Sequence, residues 1–65
     1  MTKIEKFEAI VKRGQNNKID GVRVDLFSAG AVMAVYNALS PENRAKYEAM
    51  PVPKMVVLAF KLLKK

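Results

Sequence analysis

The sequence of 65 residues contains no cysteine, no histidine and no tryptophan. Without cysteine, no disulfide can stabilise a small fold. Without cysteine or histidine, a zinc site would need carboxylate ligands alone, which is improbable. The same two absences rule out the usual nucleophile–base pairs of triad-type catalysis. The commonest enzymatic and metal-binding chemistries are therefore excluded.

The acidic residues and glycines form no recognisable site either. Asp20 and Asp25 flank a predicted hairpin, but their spacing matches no calcium loop. Gly14, Gly21 and Gly30 each have a separate structural role and form no phosphate-binding loop. Because no set of groups can fill the roles that catalysis requires, we expect a protein that is not an enzyme. We also expect no cofactor, no metal and no small-molecule substrate.

The chain also lacks a long apolar run. The longest uncharged stretch, residues 26–41, is too short for a membrane span and includes polar side chains. The first residues lack the apolar segment of a signal peptide. These features predict a cytoplasmic protein.

The composition is nevertheless that of a folded protein, with 51% hydrophobic residues and a net charge of +6. At this size one domain can bury about 60% of its unfolded surface, which is enough to fold alone by a narrow margin. We therefore expect residues 1–65 to form a single compact domain. A basic balance suits an acidic protein, a nucleic acid or an anionic membrane, and it equally suits solubility alone.

The first third of the chain predicts a helix and a hairpin. A capping-box pattern, Thr2 followed by Glu5, begins a helix over residues 3–13. Asp20 and Gly21, between short β-branched runs, favour a two-residue hairpin turn because a type I′ turn needs positive φ at both positions. An irregular loop is the alternative.

A second helix is predicted after the hairpin, capped by Asp25 or Ser28. It is apolar nearly all round, and such a helix is expected to be buried. Gly30, Ala34 and Ala38 form one thin stripe along it. We expect another helix of the same chain to pack on this stripe; the alternative is a seam between two copies of the chain.

The third predicted helix begins at Ser40, with ion pairs expected between Glu42 and Lys46 and between Arg44 and Glu48. Because its apolar stripe is poor, we expect it to lie on the surface. A fourth, amphipathic helix begins near residue 53. The fold class is therefore α+β, mainly α: a helix, a short β-hairpin, then three helices packed around a buried central helix.

The last helix carries the clearest concentration of positive charge. Lys54, Lys61 and Lys65 lie within about 40° of one another around its axis. The candidate partner-binding residues are those lysines, the apolar residues that border them and the cations of the third helix: Lys54, Val57, Leu58, Lys61, Lys65, Arg44 and Lys46. Tyr47 and Met50 are expected to add apolar surface. The competing interpretation is that the lysines form only the solvated face of a helix that closes the core.

Three functions fit these features. The leading hypothesis is docking on another protein, or self-association. The alternative is non-specific nucleic-acid binding, because lysines neutralise phosphates but carry little base information. The third is a homo-oligomeric structural role. Membrane binding is disfavoured, since the last helix is short and the core needs its apolar arc.

The sequence also resembles small uncharacterised proteins encoded by actinobacterial phages. The segments that carry the resemblance are FEAIVK at residues 7–12, KIDGV at 18–22, VDLF at 24–27, NRAKY at 43–47 and PVPKM at 51–55. It spans nearly the whole chain and implies a phage product in the host cytoplasm. It brings no known activity and no functional residues. By analogy with small phage proteins, it favours docking on a host protein.

Overall fold

A computed structural model describes residues 2–63 of the chain. In chain order, the elements are α1 (Lys3–Arg13), β1 (Asn17–Ile19), β2 (Val22–Val24), α2 (Leu26–Ala38), α3 (Pro41–Glu48) and α4 (Val52–Leu63). The predicted fold class, α+β and mainly α, is confirmed. The fourth helix begins one residue earlier than expected. No helix among the described residues is both long and apolar enough to cross a bilayer.

The ends of α1 are set by local hydrogen bonds. The Thr2 side chain accepts from the Glu5 N–H at 3.2 Å, and the Glu5 carboxylate accepts from the Thr2 N–H at 2.9 Å. These two bonds satisfy N–H groups that a helix start leaves without partners. Gly14 ends the helix at φ 66°, and its N–H donates to the Ile10 carbonyl at 2.9 Å. The predicted bounds of this helix are confirmed.

The hairpin forms as predicted and packs on α1. Asp20 and Gly21 take φ values of 51° and 79°, which a type I′ turn requires. Ile19 pairs with Val22 across the turn, while Ile19 and Val24 are buried. Since an isolated two-stranded ribbon is unstable in water, these two side chains anchor the hairpin to the core.

Helix α2 lies at the centre and contacts both α1 and α4. Asp25 is its N-cap, and its carboxylate accepts from the Ser28 N–H at 2.6 Å. The helix buries Ala29, Val32 and Val35. Around these lies one core, whose largest fully buried side chains are Tyr47, Phe7, Ile10, Ile19, Met55, Val24 and Val32.

One side of α2 remains uncovered. A methyl group added at Gly30 would meet no atom within 4 Å, and Ala34 and Ala38 are exposed. The prediction that another helix of the chain packs on this stripe is therefore wrong. The reason is geometric: α1 and α4 pack on the arc that holds the buried side chains, and no described element covers the opposite arc.

Tyr47 is a second departure from expectation. It is 2% exposed, and its hydroxyl donates to the Met55 carbonyl at 2.8 Å. The prediction that Tyr47 adds to an exposed apolar surface is wrong, because α3 turns this one residue inward to meet α4. The remainder of α3 carries no fully buried side chain, as expected of a surface helix.

Candidate protein-binding surface

The predicted lysine face of α4 is exposed where the structure describes it. Lys54 and Lys61 are exposed, as is Val57, while Leu58 is half-buried against the core. Lys65 lies outside the described residues. The placement agrees with a solvated outer face bordered by one uncovered apolar side chain.

The cations of α3 do not extend that face as freely as the sequence suggests. The Arg44 guanidinium donates to the Tyr36 carbonyl at 3.0 Å and to the Asn37 carbonyl at 3.1 Å. It also lies 5.0 Å above the centre of the Tyr36 ring. Arg44 therefore caps the C-terminal end of α2, and the expected pairing with Glu48 gives way to this contact.

Lys46 pairs with Glu42 at 4.0 Å, as predicted. Both side chains are largely exposed, so the pair adds little stability. Because Lys46 has an acidic neighbour and Arg44 is held by α2, their part in partner binding stays a prediction for which the contacts supply no support.

A different surface is more prominent: an open apolar groove of about 930 Å³ on the uncovered side of α2. Three helices contribute to it, and we define the apolar groove by Val11 of α1, Leu26, Phe27, Gly30 and Ala34 of α2, and Phe60 and Leu63 of α4. None of these side chains is polar or ionisable.

The small residues of α2 form the floor of the groove. Gly30 and Ala34 lie four residues apart, one turn along the helix, so their thin sides follow each other. Phe27 lies one turn before them, and its ring stacks on that of Phe60 with 5.6 Å between ring centres and 29° between planes. The two rings form an aromatic wall that joins α2 to α4.

Exposed apolar side chains are concentrated here rather than scattered. Of the seven large apolar residues exposed among residues 2–63, five line the groove, and Phe27 is 76% exposed. Large contiguous apolar patches are uncommon on soluble monomers except where they take part in an interaction.

The predicted lysine face lies beside the groove on α4. At about 100° per residue, Val57 lies between Phe60 and Lys61 around the axis of α4. Val57 is 55% exposed. Neither Val57 nor Lys61 lines the groove, so the prediction centred on a neighbouring arc of the helix.

The sequence interpretation missed the groove itself. It took α2 as buried because no charge interrupts residues 26–39. The signal that could have indicated otherwise is Phe27, which follows the helix cap directly and lies on the same side as Ala34. Large and small apolar residues together on one side are typical of a surface that receives another element.

A second group of cations lies between α1 and the hairpin. Lys6, Arg13 and Lys18 line a small cavity of about 250 Å³ between α1 and the hairpin. Lys6 is also 3.8 Å from Asp20, in a half-exposed ion pair. The lining of this cavity mixes aliphatic and polar groups, and its positive charge is the feature most compatible with phosphate binding.

Within residues 2–63 there is no cluster of acidic residues placed to hold a metal ion. Burial raises the pKa of Tyr47 to about 12, and this phenol lies in the core, away from both surfaces. No protein-family model matches the chain, and no curated protein or solved structure is significantly similar to it.

Proposed function

We propose that this chain is a non-catalytic binding protein of phage type that docks on a host protein in the host cytoplasm. The observation that carries the docking role is the apolar groove, with Phe27 at its wall. Contiguous apolar patches of this size mark interaction sites on soluble proteins. The phage origin rests on the sequence resemblance alone.

Within the fold, Phe27 contributes the stack on Phe60, and this contact leaves most of the residue exposed. The core is closed without Phe27, which leaves three quarters of its side chain in water. A polar residue at this position would keep α2 intact, since the Asp25 cap and the buried residues lie elsewhere on the helix. Exposed aromatic residues are among those that contribute most to binding energy at interfaces.

The test is affinity retention from host lysate, with three immobilised forms of the protein. Phe27→Ser removes the most exposed side chain of the groove. Leu62→Ser is the matched control, because Leu62 is 56% exposed and does not line the groove. We expect that the wild type and Leu62→Ser retain a lysate protein that Phe27→Ser does not retain. Equal retention on all three forms would contradict it.

Non-specific nucleic-acid binding is the second candidate, favoured by the three cations that line the cavity between α1 and the hairpin. Nuclease treatment of the lysate separates it from protein docking. For purified components, affinity for duplex DNA would fall with salt at a log–log slope of about −0.9 for each phosphate neutralised. Loss of that affinity in Arg13→Gln, with Lys61→Gln unchanged, would favour this candidate over the first.

A homo-oligomeric structural role is the third. It predicts a mass above that of one chain by light scattering, and loss of the assembly in Phe27→Ser. A monomer at high protein concentration would exclude it.

A further inference from the structure

We infer that the apolar groove binds the apolar face of an amphipathic helix that belongs to an acidic protein. This inference rests on the proposed docking function and specifies the occupant. It follows from the shape of the groove, the chemistry of its lining and the charge of the chain.

The shape fits a helix. The floor is one helix, α2, thinned at Gly30 and Ala34, so another backbone can approach closely along it. Side chains of α1 and α4 border this floor, with Val11 from the first and Phe60 and Leu63 from the second. Two packed helices lie about 8–10 Å apart, and small residues at the contact favour the near end of that range.

The lining argues against the other common occupants. Neither strand contributes to the groove, so an extended peptide would find no sheet edge to pair with. The volume matches small-molecule pockets, but such sites place a few polar groups to orient the ligand. This groove has none among its lining side chains. A row of apolar side chains at helical spacing needs no such groups, because its own backbone is already hydrogen-bonded.

The charge of the chain selects an acidic partner. The net charge is +6, and Lys61 directly follows Phe60, which lines the groove. Lys12 directly follows Val11 on α1. Glu8 lies one turn before Val11 and Asp25 directly precedes Leu26, so the local charge is mixed and the preference rests on the net charge of the whole chain. The field of the whole chain attracts acidic proteins and repels basic ones.

Charge disfavours a second copy of this chain as the occupant. Two copies would each carry a net charge of +6. Like net charges repel, and this repulsion slows association and weakens it.

The probe is a synthetic amphipathic peptide of about 18 residues, roughly five turns of helix. Leucine occupies positions i, i+3, i+4 and i+7 along it, with glutamate and alanine elsewhere. A scrambled peptide of the same composition removes the apolar face. A third peptide replaces every glutamate with lysine. Binding is followed by fluorescence anisotropy and by amide chemical shifts of the labelled protein.

We expect the acidic amphipathic peptide to bind, with the largest shifts at Leu26, Phe27 and Gly30. Phe27→Ser should weaken binding about 30-fold, as truncation of an interface hot spot does, while Leu62→Ser leaves it unchanged. The lysine peptide and the scrambled peptide should bind far more weakly. A second variant, Gly30→Leu, fills the floor from a position with open space and should also weaken binding.

Three results would overturn the inference: equal binding of the scrambled peptide, shifts centred away from the groove, or a dimer of this chain that depends on Phe27. Its failure can be told apart from failure of the proposed function. A lysate protein lost from Phe27→Ser, together with no peptide binding, would leave docking in place and remove the helix. Peptide binding without any such lysate protein would leave helix binding at the groove in place and remove docking on a host protein.

Discussion

The buried phenol of Tyr47 gives the sharpest test of how α3 is held to α4. Its hydroxyl donates to the Met55 carbonyl at 2.8 Å, and the residue is 2% exposed. Tyr47→Phe removes this hydrogen bond and keeps the ring. The Met55 carbonyl lies within α4, where the N–H of Ala59 is its ordinary helical partner. No buried acceptor is therefore left without a donor.

The expected cost is that of one net hydrogen bond, about 1 kcal/mol. A core of this size supplies only about 3–5 kcal/mol of stability, so Tyr47→Phe should remove a quarter or so of it. For a domain this small, the midpoint of thermal unfolding should fall by about 4–8 °C. Tyr47→Ala would lose the ring as well, at about 3–5 kcal/mol, and should leave little folded protein.

The same side chain has a defined pH dependence. Burial raises the pKa of Tyr47 from 10.0 to about 12, because the core disfavours the charged phenolate. The stabilisation from the neutral phenol is thus complete below pH 10 and is lost as the pH rises toward 12. The difference in the free energy of unfolding between wild type and Tyr47→Phe should be constant around neutral pH. It should narrow above pH 10 and then change sign.

The assay is urea unfolding followed by circular dichroism, at neutral pH and at several values between pH 10 and 12. All other ionisable groups are the same in both proteins, so the difference in the free energy of unfolding between the variants isolates the phenol. Tyr36→Phe is the matched control, since its hydroxyl makes no hydrogen bond within the described residues. Equal stability of wild type and Tyr47→Phe at neutral pH would refute the reasoning, as would a parallel pH dependence.

Three further predictions concern α2. Asp25→Ala should lower the thermal midpoint at neutral pH. The hydrogen bond from Ser28 lowers the pKa of Asp25 below 3.8, so the stabilisation of α2 by the ionised carboxylate is present above that pH and is lost below it. Asp25→Ser should keep the cap without this acid sensitivity, and acid titration of the three proteins checks both points. Gly30→Ala should raise the free energy of unfolding by about 0.5–1 kcal/mol, since the methyl group meets open space; lower stability in urea would mean that something packs there. Arg44→Lys should cost about 1–2 kcal/mol in thermal unfolding, because an ammonium cannot donate to two carbonyls and stack on Tyr36 as a planar guanidinium does; an unchanged midpoint would contradict this.

The features that the sequence predicted best depend on neighbours along the chain. The Thr2–Glu5 capping box, the Asp20–Gly21 turn and the start of α3 each need only two or three residues in a fixed order. Their hydrogen bonds form within one turn of backbone, so the pattern determines the geometry. This is why the fold class and the bounds of α1 could be read before any packing was known.

The features that were missed depend on which elements meet. Arg44 has Glu48 at helical spacing, but it reaches the last carbonyls of α2 because the turn after that helix brings α3 under its end. Tyr47 is one apolar residue on a polar helix, and only the approach of α4 makes its position a core position. Neither contact has a signature in residue spacing.

The groove was missed for a related reason. An uncharged helix shows no preferred side, so its pattern cannot indicate which arc stays open. The answer depends on how many neighbours a 65-residue chain can supply. Here α1 and α4 both pack on α2, and the stripe of Gly30 and Ala34 is left for a helix from elsewhere.

Phe27 and Tyr47 together separate folding from binding. Tyr47 lies in the core, so Tyr47→Phe changes stability and leaves the groove as it is. Phe27 is 76% exposed, and its main contact within the fold is the stack on Phe60, which is worth about 0.5–1.5 kcal/mol. A chain that folds by a narrow margin gains little from placing an aromatic ring in water. Binding lost from Phe27→Ser while the protein stays folded would therefore locate the function at the groove, because loss of structure could not explain it.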